Sequence, residues 1–131
     1  MADANYPDGL LYHPEHDWAR LDPTHPDIAT LGITWYAQDS LGEVVFFDPP
    51  EVGAEIKQGE SYAEVESVKA VSDVIAPLSG EIVEVNADLA DAPERINDDP
   101  YGEGWMVKVR LVDAGEADSL MDAAAYQAQL G

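Results

Sequence analysis

The chain has 131 residues, 46% of them hydrophobic and 25% charged, which is typical of a single globular domain. Its 27 acidic and 6 basic residues give a formal net charge of -21 at pH 7, which excludes nucleic acid and anionic membranes as main partners. Because there is no cysteine, disulfides, thiolate metal sites and a cysteine nucleophile are excluded, and any redox chemistry must come from an attached group.

The first predicted elements follow an N-terminal arm. Residues 1–28 contain all three histidines and are rich in proline, so we expect an irregular arm with one strand around Trp18–Leu21. Residues 29–34 are apolar and β-branched and predict the next strand. Thr34 is then placed to cap a short helix, whose end is marked by Gly42.

The middle of the chain predicts a strand followed by a hairpin. Residues 43–47 form a strand signal that ends before two prolines. Two further apolar runs, at 62–66 and 70–76, flank a short polar interruption. This pattern predicts a β-hairpin with residues 67–69 at its tip, and Lys69 is the only charged residue of that tip.

The last third of the chain predicts two strands with a short helix between them. Residues 81–85 contain the apolar residues Ile82, Val83 and Val85 and predict a strand. Asp91, followed three residues later by Glu94, has the spacing of a capping box and predicts a helix of one or two turns ending near Asn97. Residues 105–111 alternate between apolar and polar side chains, the clearest signal in the chain for a half-buried strand.

Two broader features bear on domain organisation. The alanine-rich stretch 118–130 predicts a C-terminal helix. The similarity of residues 42–45 to residues 80–83 predicts two similar β-layers related by a pseudo-twofold axis, with the predicted hairpin tip between the copies. We expect one domain over residues 1–131, divided into an arm at 1–28, a core at about 29–111 and a helical tail at 113–131.

Four stretches of sequence carry a resemblance to a known family. They read YHPEHDW (12–18), GITWYAQDSLGEVVF (32–46), ESVKAVSD followed by APLSGEIVEVN (66–86), and INDDPYGEGW (96–105). In this order and spacing they resemble the H proteins of the glycine cleavage system, over almost the whole chain. A lysine in a VKA run is common at hairpins, whereas four long motifs in register are specific.

The resemblance implies both a fold and a function. It implies a mainly β fold, the barrel-sandwich hybrid of lipoyl domains, with short flanking helices and a C-terminal helix. Lys69 would be converted to N6-lipoyllysine by lipoate-attaching enzymes. Glycine decarboxylase (P protein) would load an aminomethyl group, the aminomethyltransferase (T protein) would unload it, and dihydrolipoamide dehydrogenase (L protein) would reoxidise the dithiol. The carrier itself would have no catalytic residue.

The residue types around Lys69 support an attachment site as well. A tethered group that several enzymes must reach belongs on an exposed tight turn held by a rigid sheet, and a lysine stem projects from such a turn. Lys57 lies in a glycine-bounded turn and Lys108 in the alternating strand, so both fit this function less well. Valines are expected to hold the hairpin down, at Val65, Val68, Val71 and Val74. Acidic side chains are expected to surround it, at Glu64, Glu66 and Asp73.

A loaded carrier must also keep water from its cargo. We expect the charged end of the arm to fold back into a cleft where a carboxylate pairs with the ammonium and apolar groups exclude water. Glu15 and Asp17, beside Trp18, are the candidates. Where the related proteins commonly have a glutamate before this tryptophan, the present chain has the shorter Asp17, and Trp35 and Tyr36 replace more polar residues, which predicts a more apolar cleft.

Other functions remain open on the residues alone. One is a biotinyl or lipoyl carrier of another complex, or a relay that passes lipoate to other enzymes. Biotin carriers typically place methionines on both sides of the lysine, whereas Val68 and Ala70 flank Lys69. Another is an unmodified interaction module or a small enzyme. Intact mass separates these functions, because each attached group adds its own increment.

Metal and hydrolase chemistry have little support in the sequence. A zinc site needs three or four convergent ligands, and the histidines alone do not predict one. A serine nucleophile needs a nearby base, and no histidine lies close in sequence to the candidate serines. The histidines are His13, His16 and His25, and the candidate serines are Ser67, Ser72 and Ser79. We therefore expect no metal ligand and no catalytic triad.

The location of the protein is the last expectation from sequence. No apolar run approaches the ~20 residues of a transmembrane helix, and the acidic N-terminus resembles neither a signal peptide nor a transit peptide. We expect a cytoplasmic protein. Its acidic surface suits docking on basic faces of partner proteins, and the excess of aspartate over lysine is typical of a salt-loving host.

Overall fold

Nine β-strands and four short α-helices form the secondary structure of residues 5–130, which are the residues described by the computed structural model. The strands are β1 (Leu11–His13), β2 (Asp17–Leu21), β3 (Ile28–Ile33), β4 (Val44–Asp48), β5 (Glu55–Ile56), β6 (Ser61–Ser67), β7 (Val71–Ile75), β8 (Gly80–Val85) and β9 (Val107–Leu111). The helices are α1 (Trp35–Leu41), α2 (Asp88–Asp91), α3 (Arg95–Asp98) and α4 (Ala123–Leu130), with a 3-10 helix at Ala114–Ser119. Residues 1–4 and 131 of the predicted arm and tail lie outside the described residues.

The strands form two antiparallel sheets. The larger sheet has the order β1-β2-β3-β9-β8-β5, and the smaller has the order β4-β6-β7. Among the described residues these strands do not close into one barrel. The predicted mainly β fold with short flanking helices and a C-terminal helix is confirmed. The two similar stretches noted in the sequence begin β4 in the smaller sheet and β8 in the larger one.

One hydrophobic cluster joins the two sheets. It contains Val65 and Val74 from the smaller sheet and Leu31, Ile82 and Val109 from the larger, all of them buried. Burying a side chain of this size stabilises the fold by about 1.5–3 kcal/mol. Because both sheets contribute to the same cluster, the hairpin of the smaller sheet is supported by a well-packed base.

A second, aromatic cluster joins the N-terminal strands to α4. Tyr12, Trp18 and Tyr126 are fully buried in it. Trp18 in β2 lies opposite Gly32 in β3, and a Cβ at position 32 would lie 2.7 Å from the indole ring. Glycine at this position therefore permits the close approach of the ring to the neighbouring strand.

Helix α1 begins and ends at the residues predicted from sequence. The Thr34 hydroxyl accepts a hydrogen bond from the Ala37 N–H at 3.3 Å, and Gly42 ends the helix with φ of 81°. A left-handed conformation of this kind is readily adopted by glycine. The two signals fix the helix to residues 35–41, beside the tip of the β6–β7 hairpin.

Three predictions of local structure need correction. Asp91 ends α2 instead of capping a helix, and Glu94 makes no side-chain capping bond, because Pro93 disfavours helical backbone at the preceding residue and separates α2 from α3. The predicted helix at 118–130 begins only at Ala123, since Met121 forms backbone hydrogen bonds with Tyr12. The sequence pattern also missed β1, which lies within the predicted arm.

Candidate functional site

Lys69 lies at the exposed tip of the β6–β7 hairpin. Ser67, the last residue of β6, holds the turn: its Oγ accepts hydrogen bonds from the N–H groups of Lys69 (3.3 Å) and Ala70 (3.1 Å). Its backbone N–H donates to the Ala70 carbonyl at 2.8 Å, and the Val68 N–H donates to the Glu43 carbonyl at 3.1 Å. The predicted hairpin is confirmed, and its tip projects a lysine from a turn fixed by hydrogen bonds.

Only two of the four valines predicted to anchor this hairpin do so. Val65 and Val74 are 1% exposed, whereas Val68 and Val71 are 69% and 60% exposed. The prediction failed because the valines recur every three residues, whereas side chains alternate along a strand with a period of two. The acidic surroundings are as predicted, with three exposed carboxylates at Glu64, Glu66 and Asp73.

The turn after α1 supports the tip from the opposite side. A Cβ at Gly42 would lie 3.6 Å from Lys69 Cε, so the far end of the lysine stem passes close to this glycine. Asn97 holds the same turn: its Oδ1 accepts a hydrogen bond from the Val44 N–H (2.8 Å), and its Nδ2 donates to the Gly42 carbonyl (2.7 Å). The sequence pattern did not predict that Asn97 holds this turn, although the residue belongs to the INDDPYGEGW motif.

A cleft of about 310 Å³ lies beside the hairpin tip. Helix α1 contributes Tyr36, Ala37 and Leu41 to its lining, and the hairpin contributes Ala70 and Val71. The turn before β2 contributes Glu15, and the first residue of β2 is Asp17, the other predicted acid. Apolar side chains thus line much of the cleft, and carboxylates lie on one side of it.

Asp17 and Glu15 occupy different depths of this cleft. Asp17 is 2% exposed, its Oδ2 accepts no hydrogen bond from the described residues, and Glu15 is exposed to solvent. Burial raises the pKa of Asp17 well above its usual value, although a hydrogen bond from the Ile75 backbone opposes the shift. An unsatisfied buried carboxyl group is costly, and a cation entering the cleft would satisfy it.

His16 lies between these acids and lines the same cleft. Its backbone has φ of 76°, which is uncommon for a residue other than glycine. The imidazole packs 4.4 Å from the ring of Tyr36, and its Nδ1 lies 2.6 Å from the Tyr126 hydroxyl. Burial lowers the pKa of His16, which favours the neutral imidazole.

The other two lysines lie outside the cleft lining. Lys57 is exposed in the turn bounded by glycines, and Lys108 lies 5.4 Å from the Trp105 ring centre and 3.9 Å from Glu84. The predicted apolar lining comes from Tyr36, whereas Trp35 packs against the aromatic cluster. Within residues 5–130, no three His, Asp or Glu side chains converge as metal ligands.

The three serines considered as nucleophiles each donate a hydrogen bond through the side-chain hydroxyl. The Ser67 hydroxyl donates to the Ala70 carbonyl at 3.3 Å in addition to accepting the turn N–H groups. The Ser79 hydroxyl donates to the Glu116 carboxylate at 2.8 Å. Ser72 lines the cleft, and its hydroxyl donates to the Asp73 carbonyl at 3.3 Å. Each of the three hydroxyls therefore has a hydrogen-bond partner in the fold.

Comparison with known proteins places this chain in one family. The family described as "Glycine cleavage H-protein" matches residues 10–131. The chain is 54% identical over 125 residues to a glycine cleavage system H protein of Symbiobacterium thermophilum, covering 95% of each chain. It is 50% identical to one of Halorhodospira halophila, covering 92% of each. A crystal structure of a glycine cleavage system H protein from Mycobacterium marinum is similar, with a TM-score of 0.86, 44% identity, and coverage of 95% of this chain and 98% of that one.

Proposed function

This chain belongs to the glycine cleavage H-protein family, and we propose that Lys69 is the residue through which it carries lipoate. The protein is a lipoate carrier of the glycine cleavage system, and it moves the aminomethyl group of glycine between enzymes. The observation that carries the assignment of Lys69 is its position on a fixed, exposed turn beside a cleft that contains a buried carboxyl group with one unsatisfied oxygen. The carrier itself catalyses no step.

The partners follow from this function. Glycine decarboxylase loads the cargo, the aminomethyltransferase removes it, dihydrolipoamide dehydrogenase reoxidises the carrier, and a lipoate-attaching enzyme acts on Lys69. The net charge of -21 suits docking on basic faces of these enzymes and opposes binding to nucleic acid or anionic membranes. None of the helices in residues 5–130 is long and apolar enough to cross a membrane. We place the protein with its partner enzymes in the cytoplasm.

The residues beside Lys69 fit a lipoyl group. Lipoate supplies a dithiolane that accepts two electrons and then holds the aminomethyl cargo on one sulfur. Acylation converts the Lys69 ammonium into a neutral amide, which allows the stem to lie against protein surface. Gly42 leaves space beside that stem, and Ala37, Leu41 and Val65 offer apolar contacts to an aliphatic chain.

The carboxyl groups of the cleft fit the charge of the cargo. A loaded aminomethyl group carries an ammonium, and Asp17 would pair with it in a region that solvent scarcely reaches. Hydrogen bonds between charged groups are about twice as strong as those between neutral ones. Glu15 at the exposed side adds negative potential. The cleft would therefore slow the loss of the cargo to water as ammonia and formaldehyde.

Peptide mapping tests the attachment site. The wild-type protein and Lys69→Arg are each incubated with a lipoate-attaching enzyme and lipoate, and intact mass and modified peptides are measured. We expect one lipoyl increment on the Lys69 peptide of the wild type and none on the variant. Modification of Lys57 or Lys108, or a biotinyl increment after exposure to a biotin ligase, would favour the alternative carriers and contradict this assignment.

Formaldehyde release tests the cleft. Lipoylated protein is loaded by glycine decarboxylase, isolated, and followed for release of formaldehyde. We expect faster release from Glu15→Gln combined with Asp17→Asn, with unchanged lipoylation and reoxidation. Glu55→Gln combined with Asp88→Asn removes two exposed charges outside the cleft and serves as the matched control. Equal release from both double variants and the wild type would show that the cargo is sheltered elsewhere or not at all.

A further inference from the structure

The C-terminal helix α4 contacts the turn that carries the acidic side of the cleft. Gln129 Nε2 donates a hydrogen bond to the Pro14 carbonyl at 2.9 Å. Met121, just before the helix, pairs with Tyr12 through two backbone hydrogen bonds of 2.7 and 2.8 Å. Tyr126 reaches the cleft residue His16 itself. A helix outside the cleft therefore holds the segment that forms one of its walls.

The Tyr126 hydroxyl connects two walls of the cleft. It lies 2.6 Å from His16 Nδ1 and 2.8 Å from Thr34 Oγ1. Thr34 caps α1, which provides the opposite wall. A backbone hydrogen bond from the Thr34 N–H to the His16 carbonyl, at 3.1 Å, already joins the two main chains. The hydroxyl adds a link to the imidazole ring itself.

The donors and acceptors of this link form one consistent series. Thr34 Oγ1 accepts the Ala37 N–H, which leaves its own hydrogen to donate to the Tyr126 oxygen. The Tyr126 hydroxyl then donates to His16 Nδ1, which is an acceptor in the neutral imidazole. Burial favours that neutral form. Every polar atom in the series is thereby satisfied.

The backbone of His16 increases the need for such an anchor. Its left-handed conformation is strained for a residue with a side chain and persists where surrounding contacts determine it. The anchored ring packs against Tyr36, which lines the cleft on the α1 side. The position of the imidazole thus governs how closely two cleft-lining side chains approach each other.

We propose that Tyr126 is a positioning residue for the cleft beside the hairpin tip. Its hydroxyl holds the His16 imidazole against Tyr36 and so keeps the cleft narrow enough to exclude water from the cargo. The proposal rests on the proposed function of the cleft. It assigns a function to α4, which supplies no residue to the cleft lining. Tyr126 acts through His16 and touches no cargo.

The chain offers a matched control for the test. Tyr12 is buried like Tyr126, and the two rings stack with centres 4.9 Å apart. The Tyr12 hydroxyl donates to the Pro7 carbonyl at 2.7 Å, in a direction unrelated to the cleft lining. Tyr126→Phe and Tyr12→Phe each remove one buried hydroxyl and retain the ring. Similar losses of thermal stability are expected from both.

Two measurements separate positioning from general stability. In the unlipoylated protein, the ¹⁵N chemical shift of His16 Nδ1 is expected to change in Tyr126→Phe and to stay at the wild-type value in Tyr12→Phe. In the loaded protein, formaldehyde release is expected to be about 2- to 10-fold faster in Tyr126→Phe, the range given by the usual net contribution of one hydrogen bond. Release from Tyr12→Phe is expected at the wild-type rate, and lipoylation is expected to be unchanged in both.

The contrary outcomes are distinct. An unchanged His16 shift in Tyr126→Phe, or equal release from the two phenylalanine variants, would overturn the positioning function and leave the cleft itself intact. Failure of the cleft function has another signature: the double variant at Glu15 and Asp17 then releases formaldehyde at the wild-type rate. That result would overturn both proposals, whatever the His16 shift shows.

Discussion

Replacing Asn97 with alanine is expected to weaken the fold and the presentation of Lys69 together. The Asn97 side chain accepts a hydrogen bond from the Val44 N–H at 2.8 Å and donates to the Gly42 carbonyl at 2.7 Å and to Gln38 Oε1 at 3.0 Å. These three bonds join the end of α1, the start of β4 and helix α3. With alanine at this position, these three groups would form hydrogen bonds with water or remain unpaired.

The expected loss of stability follows from these contacts. A typical hydrogen bond contributes about 0.5–1.5 kcal/mol net, and an unsatisfied buried partner costs about 1–3 kcal/mol. Because Asn97 is half-buried, water replaces part of the loss. We expect the free energy of unfolding to fall by about 2–4 kcal/mol, which for a chain of this length lowers Tm by about 7–15 °C. Urea unfolding and thermal scans measure both quantities.

The same change is expected to slow lipoylation of Lys69. The turn held by Asn97 continues into Glu43, whose carbonyl accepts the Val68 N–H at the hairpin tip. A looser turn presents the lysine in more orientations, so a modifying enzyme meets the correct one less often. Loss of one restraining hydrogen bond corresponds to about 2- to 10-fold in rate, measured well below the unfolding midpoint.

Asn86 provides the matched control for this prediction. Its Nδ2 donates to the carbonyls of Glu103 (2.9 Å) and Trp105 (2.8 Å), and its Oδ1 accepts the Asp88 N–H (3.2 Å). Asn86→Ala therefore removes a similar set of bonds away from the hairpin. A comparable loss of stability with wild-type lipoylation is expected. Equal slowing of lipoylation by both variants would refute the argument, since general destabilisation would then explain the effect of Asn97→Ala.

Two further predictions concern stability. Burial raises the pKa of Asp17, so the folded state binds the carboxyl proton more tightly than the unfolded state does. The contribution of this group to stability therefore falls as pH rises from its unfolded pKa of about 3.9 to its folded value. The advantage of Asp17→Asn over the wild type in urea unfolding should grow over that window, and a constant difference would contradict the burial argument. Val109→Ala should cost about 1–4 kcal/mol. Lipoylation of Lys69 should shift Tm by less than this truncation does, because the exposed tip contributes little packing.

The predictions from sequence succeeded where structure is set by neighbouring residues. Thr34 and Gly42 mark the two ends of α1 through a side-chain cap and a left-handed turn, and both devices act within four residues. The alternation at 105–111 likewise reflects the period of a strand, and β9 occupies 107–111. The hairpin that carries Lys69 follows from the two runs at 62–66 and 70–76 with a short polar interruption between them.

The errors arose where two local signals competed. Val68 and Val71 have strong strand character, yet the turn and the alternation of β7 leave both on the surface. Asp91 and Glu94 have the spacing of a capping box, but Pro93 between them interrupts the helix. In each case the amino-acid type was interpreted correctly, and a neighbouring constraint determined its position.

The walls of the cleft depend on contacts that sequence patterns do not report. Tyr126 meets His16 across 110 residues, and Asn97 meets Gly42 across 55. Asp17 was a candidate from its place beside a tryptophan, but its burial results from packing of β2 within the larger sheet. Periodicity describes single elements, so the partners of these side chains became visible only with the tertiary structure.

The protonation of Asp17 is linked to the function of the cleft. In the absence of a cation, burial and the neighbouring Glu15 both favour the neutral carboxyl group, which limits the cost of an unsatisfied charge. An ammonium in the cleft would favour the ionised form, so the cargo and the Asp17 carboxylate would stabilise each other's charge. The proposed acylation of Lys69 would remove one positive charge beside the cleft and make the local potential more favourable for that ammonium. The modification that attaches the arm would thereby also prepare the cleft for the charge that the arm carries.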